Sequence, residues 1–238
     1  MRNFHPSGVR RPSRRGGLLT GALWAAAAAT ALAGVTACSD DGSGNQSKPP
    51  EASSTPAGHV CGGAFDGSAA AALKRLSGTD GFRELSGSHF SLGNAAAQLS
   101  GSAQHDECNV YLPGDSSGAP LLRLDFKAAD DHPTRSEVEK LSSGKDLTFY
   151  DLGAYAATSD ENSTALYFAC TTKGSGGRQS RYVDASMYTT AGQLKGDSTS
   201  KDRMTVLNSF ARRLADQLGC ADEAHLPSAV PEGESAQQ

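Results

Sequence analysis

The sequence lacks the metal-binding pattern H-E-x-x-H and the phosphate-cradling pattern G-x-x-x-x-G-K, and no two of its cysteines are spaced C-x-x-C. The first absence removes the zincin proteases, whose helix offers two histidines to zinc. The second removes P-loop nucleotide binding. The third, with the cysteines scattered along the chain, argues against a structural zinc site, so neither metal nor cofactor is expected. The nucleophile-elbow hydrolases are likewise not expected. Basic charge is also scarce beyond the first residues. The 238 residues carry 22 basic and 26 acidic side chains, net −4, and five of the basic ones are Arg2, Arg10, Arg11, Arg14 and Arg15. Without that opening segment 17 basic residues face 26 acidic ones, net −9. Such a chain has no electrostatic footprint for nucleic acid and no basic patch for anionic lipid.

What is present begins with those arginines. They precede an apolar, alanine-rich run from Leu18 to Ala37 with no acidic residue before it. A basic start, an apolar middle and a small-residue exit are the three parts of a secretory signal, expected here over residues 1–37. A retained membrane helix is the rival reading, since about twenty apolar residues just span a bilayer. The richness in Ala, Gly and Thr makes insertion weak. The exit, Val35-Thr36-Ala37-Cys38, resembles the lipobox of bacterial lipoproteins. The resemblance implies a diacylglycerol on the Cys38 sulfur, cleavage before Cys38 and acylation of the new amino group, and two acyl chains make a stable anchor at about 0.8 kcal/mol per buried methylene. Ordinary secretion with a cut at the same place would leave a free thiol there. Arg14-Arg15 also resembles a twin-arginine export signal, although Gly16 and Gly17 follow where a bulky apolar residue is usual.

Residues 38–59 are small and polar, and read as a disordered tether behind the lipid. Residues 60–224 form one domain of ordinary size, and residues 225–238 are expected to be a disordered tail. Four cysteines remain in the domain: Cys61, Cys108, Cys170 and Cys220. An even number in an exported domain reads as two disulfides, and three pairings are open. Cys61–Cys108 with Cys170–Cys220 is preferred, because each bond then ties a helix end to a strand of its own half. Loops of roughly fifty residues make each bond worth about 3–4 kcal/mol.

Periodicity outlines the elements. Asp66 caps a helix over 68–76 that Gly78 stops, with Leu73 and Leu76 facing inward. Residues 79–91 read as loop and 92–99 as a short helix. Alternation over 108–112 and 121–126 around a Gly/Ser loop makes a hairpin. Residues 133–141 read as a helical turn or loop, and 147–150 as a further strand. Three runs, 154–158, 164–172 and 181–189, form an antiparallel meander. Leu166, Phe168 and Cys170 share one face, opposite Ala165, Tyr167 and Ala169. Residues 201–218 make an amphipathic helix through Met204, Leu207, Phe210 or Ala211, Leu214 and Leu218, stopped by Gly219. The absence of βαβ alternation predicts an α+β fold: a twisted antiparallel sheet of about five strands with helices packed on one face and two disulfides.

Chemistry-bearing residues are thin on this frame. His105 beside Asp106, and His132 beside Asp130 and Asp131, are the candidates for proton or metal work, and each also reads as part of a polar turn. Gly174–Gly177 reads as a hairpin turn rather than a phosphate nest. Asp160, Glu161 and Asn162 lack the alternating oxygen ligands of a calcium loop. Six tyrosines, Tyr111, Tyr150, Tyr155, Tyr167, Tyr182 and Tyr188, fall mostly on strands, where they pack on the sheet or line a groove.

The layout resembles small actinobacterial cell-envelope lipoproteins of uncharacterised function. The features that carry the likeness are Val35–Cys38, the tether, Cys61 before an alanine-rich helix, Cys108-Asn-Val-Tyr111 and the closing Leu214–Cys220. Some disulfide-bonded extracellular sensor domains of membrane kinases are similar in cysteine usage and fold class. The resemblance implies a place, the extracytoplasmic face of a cell membrane, and no reaction. The expectation is a non-enzymatic binding module, monomeric, holding to the bilayer through Cys38 and meeting an envelope protein or a small ligand. A lipid or small-molecule carrier and an envelope enzyme are the rivals.

Overall fold

The computed structural model describes residues 54–84, 90–101, 106–142, 146–159, 162–173, 179–196 and 198–236. Cys38, the arginine-led signal and most of the tether lie outside them. The chain divides into two units, Met1–Gln46 and Ser47–Gln238, and every described residue belongs to the second.

Two helices are fixed by their ends. Helix α1, Gly67–Ser77, starts where the Asp66 carboxylate accepts from the Ser68 and Ala69 amides, and stops at Gly78, whose φ of 74° is left-handed. Its buried stripe is Ala69, Ala72, Leu73 and Leu76, a three- and four-residue spacing. The long helix α4, Ser200–Leu218, opens on a reciprocal capping box between Thr199 and Asp202 and closes at Gly219. Met204, Leu207, Phe210, Ala211 and Leu214 are its buried face. The two helices pack together and are clipped by Arg75–Asp202 at 2.6 Å and Arg212–Asp66 at 3.1 Å. Helix α2, Leu92–Leu99, packs beside α4.

The strands are β1 (Thr55–Pro56), β2 (Gly81–Glu84), β3 (Cys108–Tyr111), β4 (Leu122–Ala129), β5 (Leu147–Phe149), β6 (Tyr155–Ser159), β7 (Ser163–Lys173), β8 (Gln179–Thr189) and β9 (Glu234–Ser235). They form one antiparallel sheet in the order β1-β2-β3-β4-β8-β7-β6-β5-β9. The fold is therefore α+β, but with nine strands among the described residues rather than about five. The additional ones, β1, β2 and β9, are two to four residues long, too short for alternation to register. After β4 the chain passes through helix α3, Arg135–Leu141, to β5 near the far edge, then meanders back until β8 lies against β4.

Leu122, Leu124 and Phe126 of β4, Leu166 and Phe168 of β7, and Val183, Ala185 and Met187 of β8 point to the face covered by α1, α2 and α4. The Phe90, Phe126 and Phe210 rings fill this layer, with centroids 5.8 to 6.2 Å apart. Not all helices share that face. Val138 of α3 packs against Leu147, Phe149 and Ala157, whose side chains project from the opposite side. The crossover to β5 therefore carries α3 over the open face. The ends also depart from expectation. Ala57, within the presumed tether, is buried, and Thr55–Pro56 pairs with β2. The tail beyond Ala224 is ordered through Ala236: Val230 is buried and β9 pairs with β5.

Cys61 is bonded to Cys108 and Cys170 to Cys220, with Cα separations of 5.5 and 5.4 Å. The first bond ties the segment before α1 to β3. The second ties β7 to the residue that follows the α4 cap. Thr171 adds a second clasp there, its amide and hydroxyl donating to the Glu223 carboxylate in the short helix α5, Ala221–Ala224.

Candidate functional site

Strand pairing lines up a row across the open face. Lys127 stands opposite Asp184, Asp184 opposite Tyr167, and Tyr167 opposite Tyr155. The Tyr167 hydroxyl donates to Asp184 Oδ2 at 2.8 Å, and Lys127 Nζ lies 3.3 Å from the same oxygen. The Asp184 carboxylate is thus buried on a face that no long helix covers among the described residues, yet satisfied from both sides. Tyr155 meets Tyr167 edge-on at 5.9 Å and Phe149 at 6.3 Å, so the row ends in an aromatic ladder. Burial pushes the Tyr155 hydroxyl up to about 12. Burial, and then the bond to Asp184, pushes Tyr167 higher still. Both stay protonated donors at any physiological pH.

Beside the ladder opens a groove of about 420 Å³. Its apolar surface comes from Phe149, Tyr150, Tyr155 and Ala156, and its polar rim from His132, Arg135, Asp151, Glu232 and Glu234. The turn into β6 shapes one wall. Gly153 has a φ of 60°, and a Cβ there would stand 2.4 Å from the Tyr167 carbonyl oxygen, so only glycine lets the chain pass. Arg135 is set by the α3 capping box, in which Thr134 and Glu137 bond reciprocally. Its guanidinium lies over the Phe149 ring at 4.5 Å and reaches Glu234 at 2.9 Å and Glu139 at 3.1 Å. The bonds to Glu234 and then Glu139 raise its pKa further above an already high value.

His132 joins this groove, its ring edge-on to Tyr182 at 4.9 Å and its Nδ1 3.1 Å from the Pro133 carbonyl oxygen. Asp131 accepts from the His132 amide, and Asp130 accepts from the Ser180 hydroxyl. His105, Asp160, Glu161 and Gly174–Gly177 lie outside the described residues. Tyr188 is half exposed on the open face with Arg123 5.6 Å from its ring centroid. Gly114-Asp115-Ser116-Ser117-Gly118 spells G-x-S-x-G, the pattern of a nucleophile elbow. It lies in the loop between antiparallel β3 and β4, not at a strand-to-helix turn, and Asp115 is occupied with Ser117 and Gln193. The loop therefore has none of the backbone of a nucleophile elbow.

Cys61 and Cys108 come together with Glu84, close enough for three metal ligands. The sulfurs are instead bonded to each other, and Glu84 accepts from the Cys61 amide at 2.7 Å. Cys61 itself has a left-handed φ of 52°. Among the described residues, no helix is long and apolar enough to cross a membrane. Compared with protein-family models, with curated proteins and with solved structures, the chain matches none.

The groove was not legible as a unit in the sequence. His132, Tyr150 and Tyr155 stood out singly. Glu232 and Glu234 fell in a segment whose composition signals disorder, and the crossover that brings Arg135 to Phe149 is a property of topology alone.

Proposed function

We propose that this chain is a membrane-anchored extracytoplasmic binding module, tethered through acylated Cys38, whose open-face groove holds an envelope ligand or partner without transforming it. The observation that carries the reading is the groove itself. Aromatic rings on a sheet beside a charged rim make a surface suited to recognition. Among the described residues α3 is the one helix on the open face, while α1, α2 and α4 close the other.

The rival readings draw less support. A carrier needs an apolar cavity between sheet and helices, and that layer is occupied by Phe90, Phe126, Phe210 and the leucines around them. General acid–base work needs a free proton-transfer group held against a reacting atom, whereas His132 Nδ1 is taken up by the Pro133 carbonyl and Glu232 and Glu234 by Lys201 and Arg135.

Fractionation tests the anchor. The full-length chain sediments with membranes after a high-salt wash and is released by detergent, whereas Cys38→Ala appears in the soluble fraction. Retention of Cys38→Ala on membranes would contradict the lipid anchor. Asp151→Arg, an exposed change on the groove rim, tests the site: it should leave anchoring and fold intact while losing the partner that the wild-type chain can be cross-linked to in its own envelope.

A further inference from the structure

Beyond Val230 the tail is an extended strap laid along β5. Glu234 and Ser235 pair with Phe149 and Thr148, and the Ala236 amide donates to the Leu147 carbonyl at 2.9 Å. Two ion pairs flank this stretch, Lys201–Glu232 and Arg135–Glu234, and the two carboxylates are 87% and 76% exposed. Exposed pairs of this kind hold weakly and are screened by salt. By contrast Val230 is buried in the main core, and the Asn208 side chain donates to the Pro227 carbonyl at 2.8 Å. The firm anchor thus ends at Val230, and the strap beyond it is lightly held.

The surface under the strap is built without it. Arg135 is fixed by the α3 capping box, by Glu139 one turn on and by the Phe149 ring, so its guanidinium stays in place when Glu234 leaves. With the strap lifted, the β5 edge, Leu147–Phe149, exposes the amides and carbonyls that an incoming strand needs. The approach is selective. A Cβ at Gly233 would stand 2.4 Å from Thr148 Cγ2 and 2.9 Å from Tyr150 Cε1, so only glycine lets the backbone come this close. The next residue presents its carboxylate to Arg135.

Resting on the binding-module reading above, we infer that the β5 edge with Arg135 is a strand-addition site for an extended Gly-acid segment of a partner protein, and that the chain's own residues 232–236 occupy it in the free protein. Main-chain pairing along β5 provides the affinity, and the glycine contact and Arg135 provide the selection. Because the strap is tethered, it competes at a high effective concentration, in the millimolar range for short linkers. A partner strand must displace it, and the strap meanwhile shields an edge that would otherwise invite unspecific pairing.

The test keeps the full chain. Gly233→Val ejects the strap by collision with Thr148 and Tyr150. Glu234→Lys loosens it without a collision, by breaking the pair with Arg135. The probe is a labelled synthetic peptide with the sequence of residues 229–236. It should bind both variants roughly tenfold or more tightly than it binds the wild type. Adding Arg135→Ala, or using the peptide with Gln in place of its second glutamate, should remove most of that gain. Hydrogen exchange at residues 234–236 should speed up in both variants while the β7 and β8 amides stay protected. Unchanged protection at 234–236 in both variants would overturn the strap as a displaceable element. Released amides with no gain in peptide binding would overturn the strand-addition site. Were an Asp151→Arg-sensitive partner still captured in that case, the binding-module reading would stand without it.

Discussion

Removing the Cys170–Cys220 bond should cost more than any single packing change on the open face. The bond closes a loop of 50 residues between the centre of the sheet and the end of α4. The chain-entropy relation puts the stabilisation of such a loop at about 4 kcal/mol. Both sulfurs are buried, so Cys170→Ala with Cys220→Ala is the cleaner perturbation, leaving neither a free thiol nor a buried hydroxyl. Part of the loss is offset locally, since Glu223 still holds Thr171 through two hydrogen bonds. For a domain of this size 4 kcal/mol corresponds to a fall in Tm of about 10 °C. The assay is thermal and urea unfolding of the double variant beside the wild type, with and without reductant. Reductant should lower the wild type further than the variant, because the variant retains only Cys61–Cys108. A double variant that melts with the wild type under oxidising conditions would refute the reasoning.

Two further outcomes follow from the electrostatics. Burial pushes the Asp66 carboxyl up, but the Ser68 hydroxyl, the Ala69 and Ser68 amides and Arg212 outweigh it and hold it below its ordinary value. Its contribution is therefore present above the unfolded carboxylate pKa and is lost as pH falls through the lowered one. Asp66→Ala should cost about 1–2 kcal/mol at neutral pH, and urea unfolding of variant and wild type should converge in acid. Tyr155 and Tyr167 have raised pKa values, so what they contribute is complete below the unfolded tyrosine value near 10 and fades as pH climbs through about 12. Absorbance titration at alkaline pH should show two late-ionising tyrosines, and Tyr167→Phe should remove one of them.

Much of the helical layer could be read from the sequence because its signals are local. Asp66 with Gly78 marks both ends of α1, and the Met204–Leu214 stripe with Gly219 marks α4. The meander was legible from the alternation of Leu166, Phe168 and Cys170, and the disulfides follow once helix ends and strands are placed in the same half. What was missed is held by distant partners. Strand β2 has one fully buried apolar residue, Phe82, and exists because Arg83 and Glu84 find Tyr111 and Val110. The α3 capping box was present as Thr134 with Glu137, but its apolar face reduces to Val138, too little for periodicity to show. The tail carries few apolar residues, and its order comes from Val230 and Leu226 against the core, from Asn208 at Pro227 and from the β5 edge. The groove inherits the same limit, because its two sides lie about a hundred residues apart in sequence and meet only through the crossover after β4.

Native mass spectrometry of the full-length protein gently extracted from its own membranes tests the central claim most directly. The account predicts a diacylglyceryl-sized mass increase confined to Cys38, together with a bound component that the Asp151→Arg protein no longer carries. An unmodified Cys38, or a component retained equally by the wild type and Asp151→Arg, would contradict it.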